Sequence, residues 1–79
     1  MSVFPDGELD RARRDARLTH GELWLRYFEM GGMGTGLEFE AYLLGALALS
    51  PHEHDVLAHA LNERFAELGE DHAVPYVDD

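Results

Sequence analysis

The residues best suited to metal binding or catalysis in this 79-residue chain are histidines and acidic residues grouped near position 55. His52, Asp55 and His59 stand at i, i+3 and i+7, so on a helix they fall within a sector of about 60° on one face. Two imidazoles and a carboxylate can ligate Zn²⁺ or Ni²⁺ and leave a coordination position open. A metal-binding protein is therefore one hypothesis.

The spacing of the two histidines favours a different interpretation of this cluster. His52 and His59 are too far apart along a helix for one ion to reach both without Asp55 between them, and the HExxH motif is absent. Charged clusters on helices are commonly solvated faces, so we expect no resident metal and no cofactor. His54 is expected at the core edge beside Leu57, as a hydrogen-bonded residue and not a ligand.

The glycine-rich segment 31–36, GGMGTG, invites comparison with phosphate-binding loops. A dinucleotide fingerprint needs a preceding strand within a βαβ unit, and a P-loop needs a lysine, which this chain does not contain. Glycine also tolerates the left-handed conformation that ends helices. The segment therefore predicts a helix end followed by a tight turn.

The hydroxyl residues that could serve as nucleophiles are expected at helix starts. Thr19, Thr35 and Ser50 are each followed three positions later by glutamate and then by an apolar run, which is typical of the capping box. Ser2 lies next to the N-terminus, so no hydroxyl remains to pair with a histidine in a buried site. We expect no enzymatic activity.

These signals predict an all-α fold, a small bundle of three principal helices with a weaker N-terminal helix, in a single domain of residues 1–79. After a lead-in of residues 1–5, Asp6 caps a first helix that runs to about Arg17 and has only small apolar positions. The short connections predict antiparallel neighbours. Residues 70–79 contain proline and several carboxylates, which favours an extended acidic tail.

The other three helices have clear boundaries. The second runs from Thr19 to the glycines at 31 and 32, and the third begins after Thr35 and ends near Gly45. The fourth begins after Ser50, where Glu53 is expected to complete a capping box, and ends at Gly69. The apolar side of the third helix is expected at Leu37, Ala41 and Leu44, with Phe39, Tyr42 and Leu43 close to it. In the fourth helix the expected core stripe is Leu57, Leu61, Phe65 and Leu68.

The charge balance restricts the classes of partner. Sixteen acidic residues and six arginines give a net charge of −10, which disfavours nucleic acid and anionic lipid as partners. No stretch of about 20 apolar residues is present to span a membrane. No basic region followed by an apolar stretch indicates a signal peptide, so a cytoplasmic location is expected.

The second helix predicts an interaction surface. It is apolar on nearly all sides, so it is either the central helix of the bundle or half core and half interface. A domain of this size without cysteine gains stability from self-association, so a homodimer is one expectation. The interface candidates are Trp24, Leu25, Tyr27, Phe28, Val56 and Tyr76. Trp24 and Tyr27 are the expected anchors, because Trp and Tyr dominate binding hot spots.

Two blocks of the sequence resemble short uncharacterised proteins of actinobacteria. The blocks are residues 21–28, GELWLRYF, and residues 51–65, PHEHDVLAHALNERF. The resemblance implies no activity, no site and no mechanism. The favoured function is thus a non-enzymatic protein-interaction or regulatory module whose acidic surface meets a protein partner, and the metal site is the alternative.

Overall fold

The computed structural model describes residues 8–70 and 74–75. Over these residues the chain forms four α-helices and no strand: α1 (Glu8–Asp15), α2 (His20–Glu29), α3 (Gly36–Leu44) and α4 (Pro51–Glu67). The predicted all-α fold is confirmed. The lead-in, the Asp6 cap and Tyr76 lie outside the described residues.

Two of the three predicted capping boxes are confirmed. The Thr19 hydroxyl accepts from the Glu22 N–H at 3.1 Å, and the Glu22 carboxylate accepts from the Thr19 N–H at 2.8 Å. At α3 the corresponding distances for Thr35 and Glu38 are 3.2 and 2.9 Å. Both boxes satisfy backbone donors that a helix start otherwise leaves without partners.

The third box, at α4, is only half made. Ser50 Oγ accepts from the Glu53 N–H at 3.2 Å, but the Glu53 carboxylate does not return to the cap. It accepts hydrogen bonds from Tyr27 and Met33 instead. The prediction that Glu53 completes a capping box is wrong, because a buried phenol and a loop amide compete for the same oxygen.

All four helices end with the same pair of backbone hydrogen bonds. A residue in the left-handed region donates to the carbonyl three positions back, and the next residue donates to the carbonyl five positions back. In α1, for example, Arg17 donates to Arg14 at 3.0 Å and Leu18 donates to Arg13 at 3.2 Å. The left-handed residues are Arg17 (φ 58°), Gly31 (φ 94°), Gly45 (φ 77°) and Gly69 (φ 70°).

The core is built around α4, which is buried on more sides than its predicted stripe. α2 packs against α4 and α3, and α1 packs against α3. Val56 is only 8% exposed, so its prediction as an interface residue is wrong. The buried apolar residues of the core cluster are Leu9, Ala16, Leu18, Leu23, Tyr27, Phe39, Leu43, Val56, Leu57, Ala60, Leu61 and Phe65.

α2 is half core and half exposed surface, so it is not the fully buried central helix that was one of the two predicted alternatives. Leu23 and Tyr27, one turn apart, are fully buried, whereas Leu25 and Phe28 are more than half exposed. The prediction of Tyr27 as an interface anchor is therefore wrong. Its ring lies inside the bundle, tilted against the ring of Phe39 with 5.4 Å between centroids.

α3 turns only part of its predicted apolar side inward. Phe39 and Leu43 are buried, whereas Leu37 is 82% and Leu44 is 61% exposed. Both sets have helical spacing, so periodicity alone does not choose between them. The contact between the Phe39 and Tyr27 rings turns the Phe39–Leu43 side toward the core.

The buried hydroxyl of Tyr27 ties three segments together. It accepts from the Gly34 N–H at 2.5 Å and donates to Glu53 Oε1 at 3.1 Å. The same carboxylate oxygen accepts from the Met33 N–H at 2.9 Å. Burial raises the pKa of the Tyr27 hydroxyl, which keeps it protonated as a donor at neutral pH. We call this set of contacts the Tyr27 clamp.

The glycine-rich segment packs directly against the Tyr27 side chain. A Cβ added to Gly32 would lie 2.3 Å from Tyr27 Cε1, and one added to Gly34 would lie 2.7 Å from the Tyr27 hydroxyl oxygen. Only glycine allows this approach. The prediction of a helix end followed by a turn is confirmed.

Residues 74–75 lie against α4. The Asn62 side chain accepts from the Val74 N–H at 2.6 Å and donates to the Val74 carbonyl at 3.0 Å. His54, only 2% exposed, donates from Nε2 to the Pro75 carbonyl at 2.9 Å. The expectation that His54 is hydrogen-bonded at the edge of the core is confirmed.

Arg17 is the residue at which a substitution should improve a helix end. A left-handed conformation costs a non-glycine residue about 1–2 kcal/mol, while glycine carries extra entropy in the unfolded chain. We expect Arg17→Gly to leave the free energy of unfolding unchanged or to raise it by up to about 1 kcal/mol. Gly69→Ala should lower it by about 1 kcal/mol, since nothing lies within 4 Å of the added Cβ and only the backbone strain counts.

Urea unfolding followed by circular dichroism checks both variants. A loss of stability in Arg17→Gly as large as that in Gly69→Ala would contradict the account of the helix ends.

Removing the Tyr27 hydroxyl tests the clamp. Tyr27→Phe leaves the Gly34 N–H without its acceptor and Glu53 without one donor, so we expect a loss of about 1–3 kcal/mol in the free energy of unfolding. Tyr42→Phe is the matched control, because the half-buried Tyr42 makes no hydroxyl hydrogen bond to any described residue. Equal unfolding midpoints for the two variants in urea would show that the clamp does not stabilise the fold.

Candidate functional site

The predicted interface residues separate into three groups. Tyr27 and Val56 are inside the core, and Tyr76 is outside the described residues. Trp24 is half-buried, while Leu25 and Phe28 are 53% and 58% exposed. The part of the prediction that the structure places at the surface is thus confined to the outer side of α2.

Trp24 and Phe28 form an aromatic pair on that side. They stand one turn apart, and their rings stack with 5.3 Å between centroids and 22° between planes. Trp24 Nε1 is buried and has no hydrogen-bond acceptor among the described residues. The pair presents a rigid apolar surface at low conformational cost, a property that favours aromatic residues in binding sites.

A shallow groove of about 420 Å³ continues from this pair between the first turns of α2 and α3. We call it the α2–α3 groove. Trp24, Leu37 and Phe39 provide its apolar walls, His20 and Glu40 its polar rim, and Gly21 and Gly36 complete the lining. The two capping boxes fix the first turns of α2 and α3, and these turns form the groove. Gly21 and Gly36 each lie within the first two residues of a capped helix.

The rim of the groove connects three helices. His20 Nε2 lies 3.3 Å from Asp10 Oδ1 in α1, and His20 Nδ1 lies 3.3 Å from Glu40 Oε1 in α3. Arg13 donates to Asp10 at 2.8 Å, and this bond is the main cause that holds the pKa of the Asp10 carboxyl below its ordinary value. The rim is therefore fixed by polar contacts, while the centre of the groove is apolar.

A second groove, of about 440 Å³, lies between α2 and α4 and is mostly charged. Leu25 is its exposed apolar residue. Arg26 donates to both carboxylate oxygens of Glu67, at 2.9 and 2.8 Å, and Arg64 lies 3.3 Å from the same carboxylate. Because both of its arginines already pair with Glu67 and most of its lining is charged, this groove offers less to an apolar partner than the α2–α3 groove does.

The residues of the metal hypothesis do not form a site in the structure. His52 and His59 are exposed, and Asp55 is half-buried. Within residues 8–70 and 74–75, no group of three or more His, Cys, Asp or Glu side chains is placed to hold a metal ion. No observation favours the metal site over the apolar surface.

Comparisons of the chain with protein-family models, with curated proteins and with solved structures found no match. The resemblance to short actinobacterial proteins therefore stays a prediction. None of the helices in the described part of the chain is long and apolar enough to cross a membrane.

Of the residues that line the α2–α3 groove, sequence reasoning named only Trp24 as an interface candidate, and it missed His20, Gly21, Gly36, Leu37, Phe39 and Glu40. Leu37 was placed on the apolar side of α3 because its spacing to Ala41 and Leu44 is helical. A signal for the glycines is present in the sequence, since each follows a capping threonine at a position where alanine would favour the helix more strongly.

The ion pairs of the charged groove predict that the stability of the fold depends on pH. The hydrogen bonds from Arg26 are the main cause that lowers the pKa of Glu67 from its ordinary 4.5 to about 2. A carboxyl with a lower pKa in the folded state stabilises the fold above its unfolded pKa, and that stabilisation is lost as the pH falls from about 4.5 to about 2. Wild type should be more stable than Glu67→Gln near neutral pH, with the difference disappearing across this window.

The difference should be small and should shrink in high salt, because the carboxylate is exposed to solvent. Urea unfolding of both proteins over a pH series, at two salt concentrations, measures it. A difference that persists below the folded pKa would show that Glu67 acts through something other than its ion pairs.

Proposed function

We propose that this protein is a non-enzymatic protein-interaction module that binds a protein partner through Trp24, Phe28 and Leu37. The observation that carries the proposal is the exposed apolar surface that these three residues share. Phe28 stacks on Trp24, and Trp24 lines one groove with Leu37. The cytoplasmic location expected from the sequence belongs to the same proposal.

The distribution of exposed apolar side chains supports this surface. The exposed large hydrophobic residues of the described chain are Leu25, Phe28, Met33, Leu37, Leu44 and Leu47. Of these, Phe28 stacks on Trp24 and Leu37 lines the same groove as Trp24, whereas Leu25 lines the α2–α4 groove. Contiguous apolar surface on a small protein is typical of interaction sites, whereas single exposed residues are ordinary.

The composition of the surface also supports binding more than catalysis. Trp and other large aromatic residues supply most of the binding energy at protein interfaces, and they act from partly buried positions such as that of Trp24. The polar groups of the α2–α3 groove pair with each other, as His20 does with Glu40. A surface that is apolar at its centre and polar at its rim matches the general arrangement of protein interfaces.

Two single substitutions test this proposal. Phe28→Ala and Leu37→Ala remove exposed side chains, so both variants should fold as wild type does. Loss of a central interface residue costs about 2 kcal/mol or more, so each should weaken partner binding by at least about tenfold. His52→Ala is the control, because His52 is exposed on α4 and lines neither groove.

The measurement combines affinity capture from the cells that encode the protein with sedimentation over a range of concentrations. A partner retained by wild type and His52→Ala but lost with Phe28→Ala and Leu37→Ala supports the proposal. A concentration-dependent mass that both variants abolish identifies a second copy of the chain as the partner. If neither variant changes capture or mass, the proposed surface is wrong.

A further inference from the structure

The glycines of the described chain fall into three groups. Gly31, Gly45 and Gly69 adopt left-handed conformations at helix ends. Gly32 and Gly34 approach Tyr27 too closely for a Cβ. Gly21 and Gly36 meet neither condition: their φ angles are not positive, and an added Cβ would have no neighbour within 4 Å. Nothing in the fold requires glycine at these two positions.

Both of these glycines line the α2–α3 groove. Glycine weakens a helix relative to alanine, so these two residues lower the stability of the first turns of α2 and α3. Glycine is also the residue that lets another chain approach a backbone closely, because it has no Cβ in the way. The coincidence of the two positions on one apolar groove therefore indicates a ligand that comes close to both helix starts.

We infer that the α2–α3 groove binds an apolar side chain of a partner segment that carries lysine or arginine beside it, with Gly21 and Gly36 allowing the close approach. This inference rests on the proposed function and names its partner chemistry. Trp24, Leu37 and Phe39 supply the apolar contact. The two glycines are specificity-determining positions, since any larger residue narrows the groove.

The charge around the groove favours a partner segment with basic residues. Among the described residues that line the groove, Glu40 is the one carboxylate, its side chain is about half exposed, and there is no lysine or arginine. Arg26 lies in the α2–α4 groove, where Glu67 holds it at 2.8 Å. A basic segment complements this field, whereas a second copy of the chain would bring a net charge of −10 against it.

Trp24 reports directly on the groove, because it is the only tryptophan of the chain. The probes are two synthetic amphipathic peptides of equal length, one built of leucine and lysine and the other of leucine and glutamate. We expect the leucine–lysine peptide to change the Trp24 fluorescence saturably and the leucine–glutamate peptide to leave it unchanged. The response should weaken in high salt.

Gly21→Ala and Gly36→Ala separate the groove from general electrostatic attraction, since neither changes the charge. We expect each to weaken binding of the leucine–lysine peptide at least tenfold while the urea midpoint stays equal or rises. His52→Ala should bind as wild type does. Equal affinity of the peptide for wild type and both glycine variants, or no saturable response at all, overturns the inference.

Failure of this inference can be distinguished from failure of the proposed function. If capture of a partner still depends on Phe28 and Leu37 while the glycine variants bind the peptide normally, the surface stands and the groove assignment is wrong. A homodimer that Gly36→Ala abolishes would make a second copy the occupant and would overturn the basic partner.

Discussion

The Tyr27 clamp is the constraint on which the arrangement of the described helices depends. One phenol, fully buried in α2, accepts from the loop at Gly34 and donates to Glu53 at the start of α4. Because a helix turns 100° per residue, the inward direction of Tyr27 and Leu23 leaves positions 24, 25 and 28 toward the outside. The same residue fixes α3, since the Phe39 ring packs against it and directs Leu37 to the surface. Both walls of the α2–α3 groove thus follow from how one side chain is held.

The clamp also separates the glycines that the fold requires from those that line the α2–α3 groove. Gly32 and Gly34 are needed because the loop lies on the Tyr27 ring, so their replacement disrupts the fold. Gly21 and Gly36 have no atom within 4 Å of an added Cβ, so their replacement by alanine disturbs no packing contact of the fold. In a chain of this size the free energy of unfolding is small. Glycines that lower helix stability without a structural reason, as at the starts of α2 and α3, therefore point to a role in function.

The sequence allowed the helices to be predicted more reliably than their orientation. Capping threonines and helix-ending glycines are local signals, so the starts of α2 and α3 and the ends of α2, α3 and α4 were placed from residue types alone. The inward face of α3 could not be placed, because Leu37 and Phe39 satisfy the same period. Glu53 was misassigned because its competing partner, Tyr27, is 26 residues away. The candidate surface was half predicted: Trp24 and Phe28 came from aromatic content, whereas the groove appears only when α2 and α3 lie side by side.

Nuclear magnetic resonance of the intact chain tests the clamp most directly. An added Cβ at Gly32 would lie at 2.3, 2.4 and 2.5 Å from three adjacent ring atoms of Tyr27, which places the glycine over the ring face. The account predicts nuclear Overhauser effects between the Gly32 α-protons and the Tyr27 ring, with the α-protons shifted upfield by the ring current. Random-coil shifts for Gly32 and no contact with the ring would contradict the clamp and the helix orientations derived from it.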